Sequence, residues 1–235
     1  MRQVILDTET TGLSWEKGNR VVEIGCIELI ERRPSGRHFQ RYLNPGREME
    51  SGAAEVTGLT WDFLRDKPQF HEVAEEFLAF IRGAELVIHN AAFDVGFLDA
   101  ELARLGADAG RLDAHAAGVL DTLALAKQRY PGQRNSLDAL CRRLGVDNGH
   151  RTLHGALLDA ELLADVYLAL TSGQSEFALG AENGGSAELL ASGELIPMAA
   201  VVRRRPREDE EAAHRARLAA IARVAGGGTL WDATA

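Results

Sequence analysis

Apolar positions in the first part of the chain follow the short period of strands. Gln3–Asp7 and Val21–Ile30 are runs rich in Val and Ile with little helical spacing, and each predicts a strand. His38–Leu43 mixes polar and apolar positions alternately and predicts a third, which Asn44-Pro45-Gly46 ends. Three strands with short connections predict an antiparallel meander. The period then lengthens. Phe70, Val73, Ala74, Phe77, Leu78 and Ile81 recur at helical spacing behind Pro68, and Gly83 stops that helix. Glu85–His89 reads as a short strand, and Phe93, Phe97, Leu98, Leu102 and Leu105 mark a helix closed by Gly106. Val119-Leu120-Asp121 predicts a last short strand. Asn135 is the expected cap of a helix that runs to Leu144 and stops at Gly145, and a long helix follows from Gly155 to Leu170. Strands that first form a meander and then alternate with helices predict an α/β domain, a mixed sheet with helices packed on it.

Beyond Gly173 the pattern dissolves. Gly180, Gly184, Gly185 and Gly193 among Ser, Ala and Glu predict a flexible linker, followed by the basic run Arg203-Arg204-Arg205. Helical spacing returns from Glu208 to Val224, with Leu218, Ile221 and Ala222 on one face. The expected organisation is a folded domain over 1–173 and a tail over 174–235.

Composition adds two constraints. With 46% hydrophobic and 26% charged residues, the chain is globular, neither disordered throughout nor collagen-like. Its 26 Lys+Arg against 35 Asp+Glu leave a net charge of -9, which counts against coating nucleic acid through overall charge but allows a local site. Cys26 and Cys141 lie in apolar surroundings with no disulfide or zinc spacing, and no signal peptide or membrane-length run is visible. The expected compartment is the cytoplasm.

Three places carry candidate chemistry. Asp7-Thr8-Glu9 ends an apolar strand, where residues two apart share a face, so both carboxylates would project together. Such a pair repels itself unless a cation sits between, and hard oxygen donors favour Mg²⁺ or Mn²⁺. His89-Asn90-Ala91-Ala92-Phe93-Asp94 follows a second strand, with Asn90 as the expected helix cap and Asp94 in the first turn. An acid there equally complements a helix dipole. His154 precedes the long helix and Asp159 lies inside it among Ala156, Leu157, Leu158 and Leu162, where an unpaired acid is costly to bury. Singly, each has an ordinary structural explanation. Together, four carboxylates and a histidine at strand ends and helix starts form the residue set of a two-metal phosphodiesterase.

Those motifs, Leu6–Gly12, Val87–Asp94 and Arg151–Asp159, with the block Asn135–Cys141, resemble the DEDDh 3′–5′ exonucleases, in particular the group of epsilon proofreading subunits of bacterial DNA polymerase III. The resemblance spans residues 2–172. It implies a ribonuclease-H-like fold and hydrolysis of the terminal phosphodiester at a DNA 3′ end, single-stranded or frayed, with release of a nucleoside 5′-monophosphate. It further implies two divalent ions, Mg²⁺ or Mn²⁺. Asp7 would bridge both, Glu9 and Asp159 would complete the site that activates water, and Asp94 would help to hold the second. His154 would be the general base. Thr8, Leu13 and Phe93 would line the pocket of the terminal nucleotide, beside the metal-site residues Asp7, Glu9, His154 and Asp159. Thr57 stands where the family often has His, so weaker stacking of the terminal base is expected. Asp121 also matches an acid of this group, with a supporting or a structural role.

The tail carries further resemblances. Gln174–Leu179, with Gln174, Phe177 and Leu179, is similar to a sliding-clamp-binding peptide, and 180–207 would be linker. Residues 208–235, with Leu218 and Trp231, resemble the segment that docks on the polymerase alpha subunit. The resemblance thus implies a bacterial replisome component. Two alternatives stand beside it: a nuclease for RNA ends, which usually lacks such a tail, and a non-catalytic adaptor, which would have lost a carboxylate or the histidine.

Overall fold

Five strands form one sheet in a computed structural model of the chain, which describes residues 1–149, 151, 153–172 and 208–225. They are β1 (Arg2–Thr10), β2 (Val21–Ile30), β3 (Arg33–Tyr42), β4 (Glu85–Ile88) and β5 (Gly118–Asp121), in the order β3-β2-β1-β4-β5. β1, β2 and β3 pair antiparallel, and β4 and β5 run parallel to β1. The expected meander and mixed sheet are both present. β3 begins five residues before the expected His38, because Glu31 and Arg32 adopt positive φ (48° and 64°) and turn the chain tightly enough to pair Ile30 with Arg33. The first half of β3 is an exposed sheet edge, so no apolar alternation marks it.

Alternation along β1 divides the core in two. Val4 and Leu6 face α3 (Phe70–Ile81) and α4 (Ala91–Leu105) in a cluster with Ile24, Phe77, Phe97 and Leu98. Ile5 faces the opposite way, joining Val87, Leu140, Leu163 and Val166 beneath α6 (Leu137–Leu144) and α7 (Ala156–Thr171). Both cysteines are buried and free. A buried Glu101 on α4 accepts from Arg20 through both oxygens, at 2.6 and 2.7 Å, and from the Val21 amide, which ties α4 to the start of β2.

Three helices lack a visible sequence pattern: α1 (Ser51–Thr57), α2 (Trp61–Leu64) and α5 (Thr122–Arg129). Each is short and buries one or two side chains, too few to show a period. The cap of α6 is Ser136, whose hydroxyl accepts from the Ala139 amide, and not the expected Asn135. Asn135 is buried instead, donating to the Tyr130 carbonyl and accepting from Arg143.

The seat of α7 decides where the site forms. Its N-cap is Gly155, which has no side chain to offer. Buried Glu23 on β2 does the work, accepting from the Ala156 amide at 3.0 Å and from Gln40 at 2.7 Å. Two residues along β2, a Cβ on Gly25 would lie 2.2 Å from the Ala156 carbonyl carbon, so only glycine lets the helix backbone reach the sheet.

The chain divides into two units, Met1–Ser175 and Glu176–Ala235. In the second, the described part is the helix Glu208–Ala225, where Leu218 is half-buried and Ile221 exposed. The sequence-predicted sites Gln174, Phe177, Leu179 and Trp231 and the linker 180–207 lie outside the described residues. No described helix is long and apolar enough to cross a membrane.

Gly25→Ala should destabilise the protein by about 2 kcal/mol, since the backbone of α7 must retreat. Gly52→Ala, where nothing lies within 4 Å, should leave stability unchanged or raise it by up to about 1 kcal/mol. Equilibrium urea unfolding of both variants checks the contrast.

Candidate active site

Asp7 and Glu9 stand two residues apart at the end of β1, on the face that looks toward α7. β1 is irregular directly after Glu9, where the pairing with β2 shifts register. Opposite Glu9 in the ladder stands Glu23, a second carboxylate. Thr8, pointing to the other face, is buried and holds Asp94 in place: its amide and its hydroxyl both donate to Asp94 Oδ1, at 3.0 and 2.7 Å. Asp94 is buried in the first turn of α4. Asn90 is the N-cap residue of that helix, as expected, but it adopts a left-handed conformation (φ 67°) and its side chain makes no capping bond. Its amide instead donates to Asp121 Oδ1 at 3.1 Å. Asp121 also accepts from the Leu123 amide and caps α5, so its role here is to fix the turn that delivers Asp94.

Asp159 is buried in the first turn of α7, and His154, just ahead of the helix, is half-exposed. The His154 amide donates to the Val56 carbonyl, which ties this loop to α1. One donor atom from each of Glu9, His154 and Asp159 lies within 4.8 Å of the others. Asp7, Glu9, Asp94, His154 and Asp159 all line a single open cavity of about 310 Å³. The structure thus gathers the five residues that the sequence singles out from three separate segments.

A second cavity, of about 350 Å³, shares Thr8, Glu9 and Phe93 with the first and is more apolar. Leu13, Val56 and Thr57 line it, and Leu13 is 84% exposed at its rim. Thr57 contributes little polarity, because its hydroxyl donates back to the Ala53 carbonyl. A Cβ on Gly12, at the cavity edge, would meet the Glu50 carboxylate at 2.4 Å and force that side chain aside.

Two neighbours escaped the sequence reading. Arg151 bonds both oxygens of Asp159, and also Asp138 and His154. Glu23 holds the start of α7. Arg151 belongs to the third motif itself, and a basic residue eight positions before a candidate ligand was the available signal. Nothing local distinguishes Glu23 from the many other acids of this chain.

Electrostatics in the cavity are those of crowded like charges. Burial first, then Asp94, Glu9 and Asp159, push the Asp7 carboxyl well above its ordinary range, against the pull of Arg151. Burial, Asp159 and Glu23 raise Glu9 to about 8. Asp94 is raised chiefly by burial, opposed by its bonds from Thr8. An oxygen-rich donor set of crowded carboxylates with one imidazole suits a hard divalent ion.

A mixed sheet that delivers a carboxylate cluster to one cavity defines a class, and comparison with known proteins agrees. The model of the exonuclease family matches residues 4–167. The fold is also similar to that of exonuclease X solved in complex with 5′ overhanging duplex DNA, with a TM-score of 0.56 at 23% identity, covering 75% of this chain and 95% of that one. The chain belongs to this exonuclease family, ribonuclease-H-like in fold and metal-dependent in its chemistry. Within the family its relatives include the DNA polymerase III subunit epsilon of Pasteurella multocida, 47% identical over 98% of this chain and 93% of that one. The same subunit of Escherichia coli is 47% identical over 99% of this chain and 98% of its own length.

The raised carboxyls fix a pH dependence. Glu9 moves from an ordinary 4.5 to about 8, so folding favours its protonated form. That contribution is complete below pH 4.5 and is lost as pH rises through 8. In chelator, Tm should therefore fall between about pH 5 and about pH 8.5, and added Mg²⁺ or Mn²⁺ should raise it most at the alkaline end. Thermal unfolding across that range tests this, and a metal effect independent of pH would contradict it.

Proposed function

We propose that this chain is the 3′–5′ proofreading exonuclease of a bacterial replicative DNA polymerase, removing mispaired 3′-terminal nucleotides as nucleoside 5′-monophosphates. The observation that carries the reading is the convergence of Asp7, Glu9, Asp94, Asp159 and His154 on one cavity that adjoins an apolar one. Similarity to epsilon subunits over nearly the whole chain, tail included, supports the proofreading branch over a nuclease for RNA ends.

Two divalent ions, Mg²⁺ or Mn²⁺, would be held by Asp7, Glu9, Asp94 and Asp159. When bound, they supply Lewis-acid activation of water and neutralise charge on the leaving oxygen. The chain's own part is to position and to move a proton. Thr8 orients Asp94 through its amide and hydroxyl. Glu23 fixes the start of α7 and with it Asp159. His154, half-exposed at the cavity, is the base that takes the proton of the attacking water. The adjoining cavity, with Leu13, Val56 and Phe93, receives the terminal nucleotide.

The tail is read as the means of attachment. Residues 174–179 would engage a sliding clamp and 208–235 the polymerase alpha subunit, with the exposed Ile221 and half-buried Leu218 as apolar contacts on the helix Glu208–Ala225. The setting is the cytoplasmic replisome.

Purified chain incubated with a primer–template bearing a 3′ mismatch should release mononucleotides with Mg²⁺ and none with chelator. Asp7→Ala and Asp159→Ala should each lower the rate on the order of 10³-fold. Unchanged release by either variant would overturn the assignment. Truncation after Gly173 should preserve hydrolysis and abolish co-purification with the polymerase; persistent co-purification would overturn the reading of the tail.

A further inference from the structure

Arg151 occupies the place where the proposed chemistry needs free lone pairs. Its side chain is only 7% exposed, and it is the one Lys or Arg among the described residues that line the carboxylate cavity. Nε and Nη2 donate to Asp159 Oδ1 and Oδ2, both at 2.5 Å. Nη1 donates to Asp138 at 2.8 Å, and Nη2 lies 2.9 Å from His154 Nδ1. A guanidinium carries donors only, so His154 Nδ1 must be the acceptor and the proton of the neutral ring sits on Nε2. Both oxygens of Asp159 are thus engaged by a bidentate fork, and the basic nitrogen of His154 is engaged by the same group.

We propose that Arg151 is a resident cation that stands in for the divalent ion in the metal-free protein, and that metal loading at Asp159 and release of the His154 base are one event. The inference rests on the two-metal reading above. A divalent ion that takes an Asp159 oxygen competes directly with the fork. Once the fork lets go, the guanidinium is anchored only through Nη1, so Nη2 can swing away and leave the lone pair of His154 Nδ1 free. Asp138 gives the guanidinium somewhere to remain: it is 42% exposed and keeps a bond to Nη1 that does not involve the ligand. The consequence is a site whose base is silenced until its ions arrive. Arg151 is therefore a positioning residue, acting through Asp159 and His154 and not on the substrate.

The test is Mn²⁺ binding to the full chain, read as free Mn²⁺ by electron paramagnetic resonance, for wild type, Arg151→Gln and Arg151→Lys. Removing the competing cation should tighten the Mn²⁺ Kd of R151Q about tenfold, with R151K tightened less because it keeps a charge without the fork. An unchanged or weaker Kd in R151Q overturns the proposal. A second measurement needs no variant: ¹⁵N NMR of imidazole-labelled wild type should show His154 protonated at Nε2 in chelator and a changed Nδ1 signal on adding Mg²⁺. The opposite tautomer in chelator, or a spectrum indifferent to Mg²⁺, overturns it as well. Failure of the wild type to bind Mn²⁺ at all would sink the two-metal reading with it, whereas binding that ignores Arg151 would sink this inference alone.

Discussion

Repulsion among carboxylates at one end of a sheet governs this structure. Burial disfavours the charged forms of Asp7, Glu9 and Asp94, and the neighbouring carboxylates oppose those charges further. No local preference would bring them together, so the scaffold must be rigid enough to impose it. Two apolar clusters, one on each face of the sheet, supply that rigidity. The polar contacts at the site are spent on holding geometry: Thr8 on Asp94, Asp121 on the Asn90 turn, Arg151 on Asp159. The same repulsion makes the cavity a strong attractor for cations, so what destabilises the metal-free fold favours metal binding.

α7 shows how the scaffold imposes position. A helix that begins at glycine has no side-chain cap, and its first amides would be left without partners. Glu23 reaches across from β2 to satisfy the Ala156 amide, and Gly25 removes the Cβ that would hold the helix away. Because Asp159 lies less than one turn beyond, its distance from Asp7 and Glu9 is set by these two residues of a neighbouring strand. Glu23 is also a charge beside Glu9, so the residue that seats the helix adds to the repulsion that the site must offset.

How much of this was legible depended on whether the signal was local. β1, β2, α3, α4 and α7 are long or strongly patterned, and most of their apolar positions are buried. α1, α2 and α5 bury too few side chains to leave a period, and the first half of β3 is an exposed edge whose register comes from the turn at Glu31 and Arg32. Asn135 looked like a cap because Asn favours that position, but a buried bond network with Tyr130 and Arg143 claimed it and the next residue, Ser136, took the role. At the site, Asp7, Glu9, Asp94, His154 and Asp159 were visible because motifs place them at strand ends and helix starts. Glu23 and Arg151 were not, since their roles exist only between segments far apart in sequence or in a loop without periodicity.

The net charge of -9 gains meaning from where it lies. Residues 173–235 carry nine acids against seven arginines, so -7 of the -9 belongs to the folded unit that holds the cavity. Part of it is the carboxylate set, whose charge bound divalent ions would offset. What remains still opposes free DNA, because affinity for a phosphate backbone comes mainly from neutralising cations. A proofreading enzyme gains from that weakness: it should not hold a correctly paired end, and its substrate is delivered to it. Attachment to a polymerase through residues 174–235, as proposed, would replace intrinsic affinity with local concentration. On the proposed reading, acidity in the catalytic unit and apolar positions in the tail are two halves of one arrangement, in which specificity for a frayed end is set by access and not by binding strength.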